Sequence, residues 1–488
     1  VAVNRMAQSA FPWGTLAVNV AGSFLIGVLM VLLFKAGEWR ENGRLLLVTG
    51  MMGGFTTFSS FSWETMNLLE DGRLMMAITN VFASIATCLL ATLTGAERNA
   101  VLEEMADALE RRSAEILAEN ALDIEAAKRE RLAPSLIDRL YLDEDRIRDI
   151  AAAVRRVAAL PDPIGEVDGG RRLESGLEII RRRVPIGVLC VVYEARPNVT
   201  VDAAALAVKS GNAIILRGSR SARRSNLIIA EVLAGALLEA DAPRWAVAIL
   251  GPDRDELKRL IGDERAVDLV IPRGGEALKA FLKEHARVPV IYAASGNNHV
   301  YVDADADADM AARIVVNAKA QRPGVCNAAE TLLVHEAAAQ RVLPLVAERL
   351  RQAGVELRCD ERARAIVGER EGERTVTDED YATEYLELIM AVRVVESLDQ
   401  GVAHIARFGS GHSEAIVTSS LASAQAFQAR VDAAAVYVNA STRFTDGGEF
   451  GMGAEIGIST QKLHARGPIG LRELTTYKYV VTGEGHVR

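Results

Sequence analysis

One cysteine in a polar turn is the side chain of this sequence best suited to covalent chemistry. Cys326 lies in the stretch RPGVCNAAET (322–331), between a Pro-Gly turn and the apolar run 332–334. A turn can hold a side chain at the mouth of a site while the element behind it prevents movement. A thiolate attacks an acyl carbon and leaves it again readily. A lone cysteine is more often a buried structural residue, so its role depends on the rest of the chain.

Two short apolar runs end in residues that suit a bound phosphate group. The run 214–216 is followed by Arg217, Gly218 and Ser219, and the run 269–271 by a proline and then Arg273, Gly274 and Gly275. Ligands of open α/β sheets bind beyond the carboxyl ends of the strands, where helix N-termini favour anions. An arginine there can pair with a ribose 2′-phosphate, which favours NADP over NAD. The alternative for each arginine is a solvated surface charge.

The pattern around these residues predicts an α/β architecture. Residues 97–159 read as amphipathic helices rich in Ala, Glu and Arg. Short apolar runs then alternate with helical stretches, at 184–192, 213–216, 246–250, 269–271 and 288–292. Such alternation indicates a largely parallel sheet. No Gly-x-Gly-x-x-Gly fingerprint follows any of these runs.

Length, charge and cysteine usage narrow the class of protein. A chain of 488 residues exceeds one hydrophobic core and predicts two to four domains. A net charge of −9 argues against nucleic-acid binding, which uses a basic surface. The four cysteines, at 88, 190, 326 and 359, show neither metal-ligand nor disulfide spacing. This usage is typical of a reducing, cytosolic compartment.

The first 96 residues differ from the rest because they are long apolar runs. Residues 13–34, 45–69 and 76–93 each approach the roughly 20 residues that cross a bilayer as a helix. Lys35, Arg40 and Arg44 lie in the first connection, which the positive-inside rule assigns to the cytoplasm. Three spans would place the remainder of the chain in the cytoplasm as well, attached to the cell membrane.

The motifs GTLAVNVAGSF (14–24) and GGFTTFSSF (53–61) resemble the Fluc-type fluoride channel family. The resemblance implies that Asn19, Phe58 and Phe61 line a fluoride path, and that the carbonyls of Gly53 and Thr56 hold a sodium ion. A packing motif in an ordinary helix bundle is the alternative. The family has four spans and works as an antiparallel dimer, whereas residues 1–12 are too short and polar for a first span. We therefore expect that this segment does not conduct fluoride by itself.

Residues 97–488 resemble the γ-glutamyl phosphate reductases, or glutamate-5-semialdehyde dehydrogenases, of the aldehyde dehydrogenase superfamily. The resemblance rests on YEARPNVT (193–200), IPRGG (271–275), the cysteine stretch, YVNASTRFTDGG (437–448) and STQKLHARGP (459–468). It implies NADPH-dependent reduction of L-glutamyl 5-phosphate to L-glutamate 5-semialdehyde, the second step from glutamate to proline. Cys326 would form the thioester, and the Asn198 amide with the Cys326 backbone N–H would stabilise the oxyanion.

Substrate contacts and partners follow less directly from the resemblance. The substrate carries a phosphate and an amino-acid head, and we expect Arg322, Arg443 and Thr445 to bind it. Each could equally stabilise the sheet. Delivery of the substrate by glutamate 5-kinase and a homodimer as the minimum assembly are further expectations.

One absence distinguishes reductive from hydrolytic chemistry. Hydrolytic aldehyde dehydrogenases keep a glutamate base that activates water, but the corresponding stretch here, YAASGNNH (292–299), has no carboxylate. We therefore expect no carboxylate near Gly296. The competing readings are a hydrolytic aldehyde dehydrogenase, a fluoride channel with a fused soluble domain, and two separate proteins joined in one reading frame.

The expected organisation is an aldehyde dehydrogenase-like α/β protein with transmembrane helices in front. Residues 1–96 form the fluoride-channel-like segment, and residues 97–295 a Rossmann-like NADP-binding domain. Residues 296–445 form the α/β catalytic domain with the nucleophilic cysteine. Residues 446–488 form a C-terminal oligomerisation segment.

Overall fold

The computed structural model describes residue 90 and residues 92–293, 295–368, 370 and 373–488. The chain divides into two units after Ile85, and all described residues belong to the second unit. The positions predicted to line a fluoride path or hold sodium, Asn19, Gly53, Thr56, Phe58 and Phe61, lie outside the described residues. Among the residues that are described, no helix is both long enough and apolar enough to cross a bilayer.

Four helices open the described unit, as the sequence predicts. They are α1 (Gly95–Arg111), α2 (Ser113–Arg129), α3 (Pro134–Leu140) and α4 (Glu144–Ala159). Thr94 and Glu97 cap the start of α1 reciprocally, which satisfies two N–H groups that a helix start leaves unpaired. The buried Arg98 guanidinium donates to Asp162 Oδ2 at 2.5 Å, and the buried Lys209 ammonium donates to Asn99 Oδ1 at 2.6 Å. These bonds attach α1 to the layers that follow.

The next layer is a four-stranded parallel sheet of strand order β5-β4-β3-β6. Its strands are β3 (Val188–Tyr193), β4 (Ala213–Arg217), β5 (Val247–Ile249) and β6 (Leu269–Arg273), and its helices are α5 (Pro197–Lys209), α6 (Arg223–Glu239), α7 (Arg254–Ile261) and α8 (Glu276–His285). Every residue of β3 is buried, as expected of a central strand covered on both faces. The carboxyl ends of β3, β4 and β6 therefore meet at one edge.

The larger layer is a seven-stranded parallel sheet of order β10-β9-β11-β8-β7-β12-β13. Its strands are β7 (Asn298–Val302), β8 (Ala329–His335), β9 (Glu356–Cys359), β10 (Arg374–Thr375), β11 (Ile389–Val395), β12 (Ser413–Val417) and β13 (Ala435–Val438). Its helices are α9 (Ala308–Ala320), α10 (Glu336–Gln352), α11 (Glu361–Val367), α12 (Asp378–Tyr381), α13 (Leu398–Phe408) and α14 (Leu421–Arg430). Val300, Leu332 and Val392 from its central strands join one buried apolar cluster.

A third, antiparallel sheet joins distant parts of the chain. It contains β1 (Val167–Arg172), β2 (Glu178–Pro185) and β16 (Thr475–Thr482), with β2 in the middle. A short pair, β14 (Ile458–Ser459) and β15 (Gly467–Pro468), lies between β13 and β16 in the chain. Ser459 forms an isolated bridge with Ala293, so the C-terminal segment returns to the region between the two parallel sheets.

Two of the predicted strands differ from the observed ones. The run 184–192 was expected as one strand, but Gly187 has φ +139° and divides it into β2 and β3, which belong to different sheets. The run 288–292 forms only a single bridge, between Val290 and Val270. Apolar composition predicts burial at both places, but it does not encode the glycine turn or the number of strand pairs.

Candidate active site

The Cys326 loop connects α9 to β8 and is held by two asparagine side chains. The buried amide of Asn298 donates from Nδ2 to the carbonyl oxygens of Cys326 at 2.8 Å and Ala328 at 2.7 Å. The amide of Asn327 donates from Nδ2 to the carbonyl of Thr445 at 3.0 Å. Because both β7 and the segment after β13 are bonded to the loop, the loop that carries the partly exposed Cys326 side chain is held in place.

Gly296 lies against the Cys326 backbone. A Cβ built on Gly296 would fall 1.4 Å from the Cys326 carbonyl oxygen, a distance at which no side chain fits. The predicted stretch 292–299 therefore does reach the cysteine, and glycine is required because of close approach rather than an unusual φ.

Burial and two carboxylates oppose ionisation of the Cys326 thiol. Burial, together with the negative charges of Glu455 and Glu384, raises its pKa to about 11, although the positive charge of Arg273 offsets part of this rise. The free thiol is therefore neutral at physiological pH, and attack on an acyl carbon requires a proton acceptor.

The expectation that no carboxylate lies near Gly296 is wrong. Glu384, which comes from the segment before β11, accepts a hydrogen bond from the Gly296 backbone N–H at 2.7 Å. Glu455 is the second acidic neighbour of the thiol, and its Oε2 accepts from the Gly447 N–H at 2.8 Å. Burial and repulsion by Asp446 raise the pKa of Glu455 to about 7. Both carboxylates come from outside the stretch 292–299, so a local motif comparison could not find them.

Asn198 lies in the first turn of α5, at the carboxyl edge of β3. Its Nδ2 donates to Asp202 Oδ2 at 3.1 Å, one helical turn further along. Burial raises the pKa of Asp202 to about 6, which leaves it mostly ionised and able to accept this bond at neutral pH. An amide nitrogen carries two hydrogens, so the second hydrogen of Asn198 stays available for a substrate oxygen. Asp202 therefore orients the predicted oxyanion donor.

Arginines supply the positive charge of the site. Cys326 lies in the electrostatic field of Arg273, Arg196 and Arg443, and Arg322 acts on both Arg196 and Arg443. The structure thus brings together the predicted Arg273, Arg322 and Arg443. Arg443 also donates from Nε to Gln321 Oε1 at 3.0 Å, beside the start of the cysteine stretch.

Thr445 reaches the loop through its backbone. Its hydroxyl is fully buried, 2.6 Å from Ser413 Oγ and 2.7 Å from the Tyr437 hydroxyl, while its carbonyl accepts from Asn327. Contact between Thr445 and a substrate remains a prediction. The observed bonds position the loop.

The residues predicted to bind a cofactor fall into two groups. Gly218 and Ser219 line a cleft together with Arg223, Asn226 and the segment 249–252, beyond the carboxyl ends of β4 and β5. A Cβ on Gly218 would lie 2.1 Å from Asn226 Nδ2, and that buried nitrogen has no hydrogen-bond partner among the described residues. A glycine cradle beside an unpaired buried donor fits a polar ligand such as a nucleotide.

The second group lies at the end of β6. Arg273 donates to the carbonyl of Ile456, and Gly274 and Gly275 lead directly into α8. Arg217 differs from the other predicted cofactor residues because its guanidinium donates to the Pro252 carbonyl at 2.7 Å and ties the ends of β4 and β5 together. Its cofactor contact remains a prediction. Arg223, on the wall of the cleft, is the arginine nearer to a ligand there.

Four residues of the site were not predicted: Arg196, Asp202, Glu384 and Glu455. Arg196 and Asp202 had a local signal, since Arg196 stands in the YEARPNVT motif and Asp202 is four residues after Asn198 on one helix face. The two glutamates are brought to the thiol by tertiary structure and carry no such signal.

Two family models match this chain. The family model described as aldehyde dehydrogenase family matches residues 82–368, and the one described as CrcB-like protein, Camphor Resistance (CrcB), matches residues 1–96. The second match supports the resemblance to fluoride channels drawn from the N-terminal motifs. It covers the part of the chain before α1 and the first two residues of that helix.

Individual relatives identify the larger part. The γ-glutamyl phosphate reductase of Moorella thermoacetica is 54% identical over 404 residues, which are 83% of this chain and 96% of that protein. The crystal structure of the γ-glutamyl phosphate reductase from Thermotoga maritima matches with a TM-score of 0.82 and 47% identity, over 85% of this chain and 99% of that one. An acetylating aldehyde dehydrogenase from Geobacillus thermoglucosidasius shares the fold, with a TM-score of 0.60 and 18% identity over 85% and 97% of the two chains. The chain belongs to the γ-glutamyl phosphate reductase family, within the aldehyde dehydrogenases.

Proposed function

We propose that residues 97–488 reduce L-glutamyl 5-phosphate to L-glutamate 5-semialdehyde with NADPH and release phosphate, the second step from glutamate to proline. The observation that carries the proposal is the fixed, partly exposed thiol of Cys326 among Arg196, Arg273, Arg322 and Arg443. Positive charge around a nucleophile suits a substrate that is itself an anion. Family membership supplies the substrate class.

The first half of the reaction is acyl transfer. The Cys326 sulfur attacks the acyl carbon, and its proton passes to Glu455, whose pKa of about 7 suits a proton acceptor at neutral pH. The carbonyl electron pair moves onto oxygen, where the Asn198 amide and the Cys326 backbone N–H stabilise it. The electron pair on that oxygen then re-forms the carbonyl, and the bond between the acyl carbon and the phosphate oxygen breaks. Phosphate leaves, and a thioester on Cys326 remains.

The second half releases the aldehyde. The cofactor, held at Gly218 and Ser219, would supply the hydride that reduces the thioester carbon. Asn198 again stabilises the charge on oxygen, and the carbon–sulfur bond breaks with its electrons going to Cys326. The proton held by Glu455 returns to the sulfur, which restores the neutral thiol. Glu384 stays bound to the Gly296 N–H at 2.7 Å and takes no part in these steps.

The decisive test is phosphate dependence. The purified chain, given glutamate semialdehyde and NADP, should form NADPH only when phosphate is present, and Cys326→Ala should abolish this. NADPH formation without phosphate would instead indicate that Glu384 or Glu455 activates water, and the hydrolytic reading would replace ours. Full activity of Cys326→Ala would exclude the thioester.

For the cofactor we propose NADP in the cleft at Gly218 and Ser219, with Arg223 rather than Arg217 facing the 2′-phosphate. Support comes from the Asn226 Nδ2, which has no partner among the described residues, and from the hydrogen bond that Arg217 donates to Pro252. Arg223→Ala should raise the KM for NADP about tenfold or more and leave that for NAD nearly unchanged. Equal effects on both cofactors would contradict the assignment.

We also propose the domain organisation given by the sequence: cofactor domain 97–295, catalytic domain 296–445 and C-terminal segment 446–488. The division between β6 and β7 supports the first boundary. The β1-β2-β16 sheet supports a homodimer, since Tyr477, Tyr479 and Val481 of β16 are about half exposed in one chain. Light scattering would show a monomer if that surface has no partner.

For residues 1–96 we propose a fluoride-channel-like membrane segment that keeps the reductase at the cytoplasmic side, supported by the CrcB-like match. Fluoride efflux from liposomes holding the full chain tests the alternative that the segment conducts. The mass of the native protein tests whether the parts are two proteins, because a species of about 40 kDa would mean separate chains. Glutamate 5-kinase as the supplier of substrate is tested by pull-down.

A further inference from the structure

Arg196 is a half-buried arginine to which no described residue is hydrogen-bonded through its side chain. It is the N-cap residue of α5, directly after β3, and within the described residues no hydrogen bond or ion pair engages its guanidinium. Other enclosed arginines of the chain are paired: Arg98 with Asp162 at 2.5 Å and Arg358 with Asp380 at 2.7 Å. Leaving a charged group partly desolvated and unpaired costs free energy, so the position calls for an anion.

The charges around Arg196 point the same way. Burial, together with repulsion by Arg273, Arg139 and Arg322, lowers its pKa to about 10, and the negative charge of a Cys326 thiolate opposes this. No carboxylate contributes among these neighbours. Four guanidinium groups from separate elements therefore converge here, while the carboxylates Glu384 and Glu455 act on the Cys326 thiol. Guanidinium groups that converge in this way bind phosphate through paired N–H donors.

The location relative to the sulfur identifies the anion. Arg196 immediately precedes Pro197 and Asn198, and Asn198 is the oxyanion donor of the proposed mechanism. Arg322 begins the loop that carries Cys326. Resting on the proposed function, we infer that Arg196, together with Arg322, binds the phosphoryl group that departs from the acyl carbon when Cys326 attacks.

The inference assigns a defined task to Arg196. When the carbon–oxygen bond breaks, its electron pair goes to the phosphate, and the two guanidinium groups balance the charge that develops there. In the reverse direction they hold phosphate as its oxygen attacks the thioester carbon and the sulfur leaves. The same arginines keep phosphate bound in place of water, which favours phosphate over hydroxide as the acyl acceptor.

The test uses the full chain with Arg196→Gln, Arg196→Lys and a control, Arg259→Gln, at an exposed arginine of α7. In the reverse reaction with glutamate semialdehyde, Arg196→Gln should raise the KM for phosphate about tenfold to a hundredfold, the size of a lost charged hydrogen bond. The KM for NADP should change less than twofold. Arg196→Lys should fall between wild type and Arg196→Gln, and the control should match wild type.

A second readout does not depend on turnover. Inorganic phosphate should slow alkylation of Cys326 by iodoacetamide in the wild-type chain. Arg196→Gln should need about tenfold more phosphate for the same protection. The phosphate concentration that protects Arg196→Lys should lie between those two values. An increase in the KM for NADP with an unchanged KM for phosphate would overturn the inference, because Arg196 would then face the cofactor's pyrophosphate. If the wild-type chain shows no phosphate-dependent activity, the proposed function fails. If both variants are protected by phosphate as well as the wild-type chain is, the anion site at Arg196 is overturned, whatever the activity.

Discussion

The Cα of Gly296 and the carbonyl oxygen of Cys326 are so close that a methyl group on Gly296 would fall 1.4 Å from that oxygen. The same glycine donates its N–H to Glu384, so a residue without a side chain links the nucleophile's backbone to an acidic residue 88 positions away. The cysteine is thus positioned by backbone contacts that any larger residue would disturb.

Gly296→Ala should therefore reduce kcat by at least about a hundredfold, because a shift of about 1 Å in a reacting group costs roughly that much. The cofactor cleft is formed by other elements, so NADPH binding, measured by fluorescence, should stay within about twofold. Gly235→Ala is the matched control: it lies within α6 with nothing inside 4 Å of its Cβ position. There alanine should keep full activity and stabilise by up to about 1 kcal/mol. An active Gly296→Ala enzyme would show that the Cys326 loop can shift to accommodate the methyl group without loss of activity.

Asn198 and Asp202 should separate a substrate contact from its support. Asn198→Ala removes one oxyanion donor and should lower kcat by about a hundredfold, or about 3 kcal/mol. Asp202→Ala keeps the Asn198 amide but removes the hydrogen bond that orients it, and we expect kcat to fall about tenfold. Pre-steady-state kinetics of phosphate release would place both losses in thioester formation. If the double variant lost the product of the two factors, the residues would act independently and Asp202 would not orient Asn198.

Local sequence predicted the proposed nucleophile, Cys326, but not the charged groups around it. Cys326 and Asn198 stand in motifs whose turn and helix-start patterns can be read directly, and Gly218 and Ser219 follow a strand as anion-binding residues do. Glu384 and Glu455 come from loops whose sequences show nothing unusual. Their effect on the thiol arises only when the β7–β8 edge and the C-terminal segment fold together.

The fold likewise combines features that local sequence predicts with features that only tertiary structure determines. Alternating apolar runs correctly predicted parallel α/β layers, because burial on both faces produces them. The third sheet could not be predicted from the runs, since β2 pairs with β16 across about 300 residues. The spacing of apolar residues along the chain determines which residues are buried. Which strands pair with each other depends on long-range packing.

Glu455→Gln should have opposite effects on the acidity of Cys326 and on catalysis. Removing the negative charge should lower the thiol pKa below about 11, so alkylation by iodoacetamide should reach its half-maximal rate at lower pH. Because the variant has no proton acceptor at that place, kcat should nevertheless fall by about a hundredfold. Glu484→Gln, at an exposed C-terminal position, is the control. A variant with a lower thiol pKa and an undiminished kcat would show that Glu455 only raises the thiol pKa by its charge and transfers no proton.

The loop that carries Glu384 is anchored four residues earlier by the buried Asp380. Its carboxylate accepts from Arg358 at 2.7 Å, from Arg374 at 2.7 and 2.8 Å and from the Thr377 N–H at 2.8 Å. Burial alone would raise the pKa of Asp380, but the hydrogen bonds from Arg358 and Arg374 outweigh it and hold the pKa well below the usual range. The adjacent Asp378 pairs with Arg407 at 2.6 Å in an exposed position.

A carboxyl group with a depressed pKa in the folded state stabilises the fold above its unfolded pKa of about 4, and this contribution is lost as the pH falls below that value. Asp380→Asn should therefore be about 3 kcal/mol less stable than wild type at pH 7, and the difference should shrink as the pH falls below about 4. Asp378→Asn should cost at most about 1 kcal/mol at either pH, because an exposed pair contributes little. Urea unfolding of the full chain in mild detergent at pH 7 and pH 3.5 measures both differences. A gap between Asp380→Asn and wild type that stayed constant across this range would mean that the arginines do not lower the pKa of Asp380.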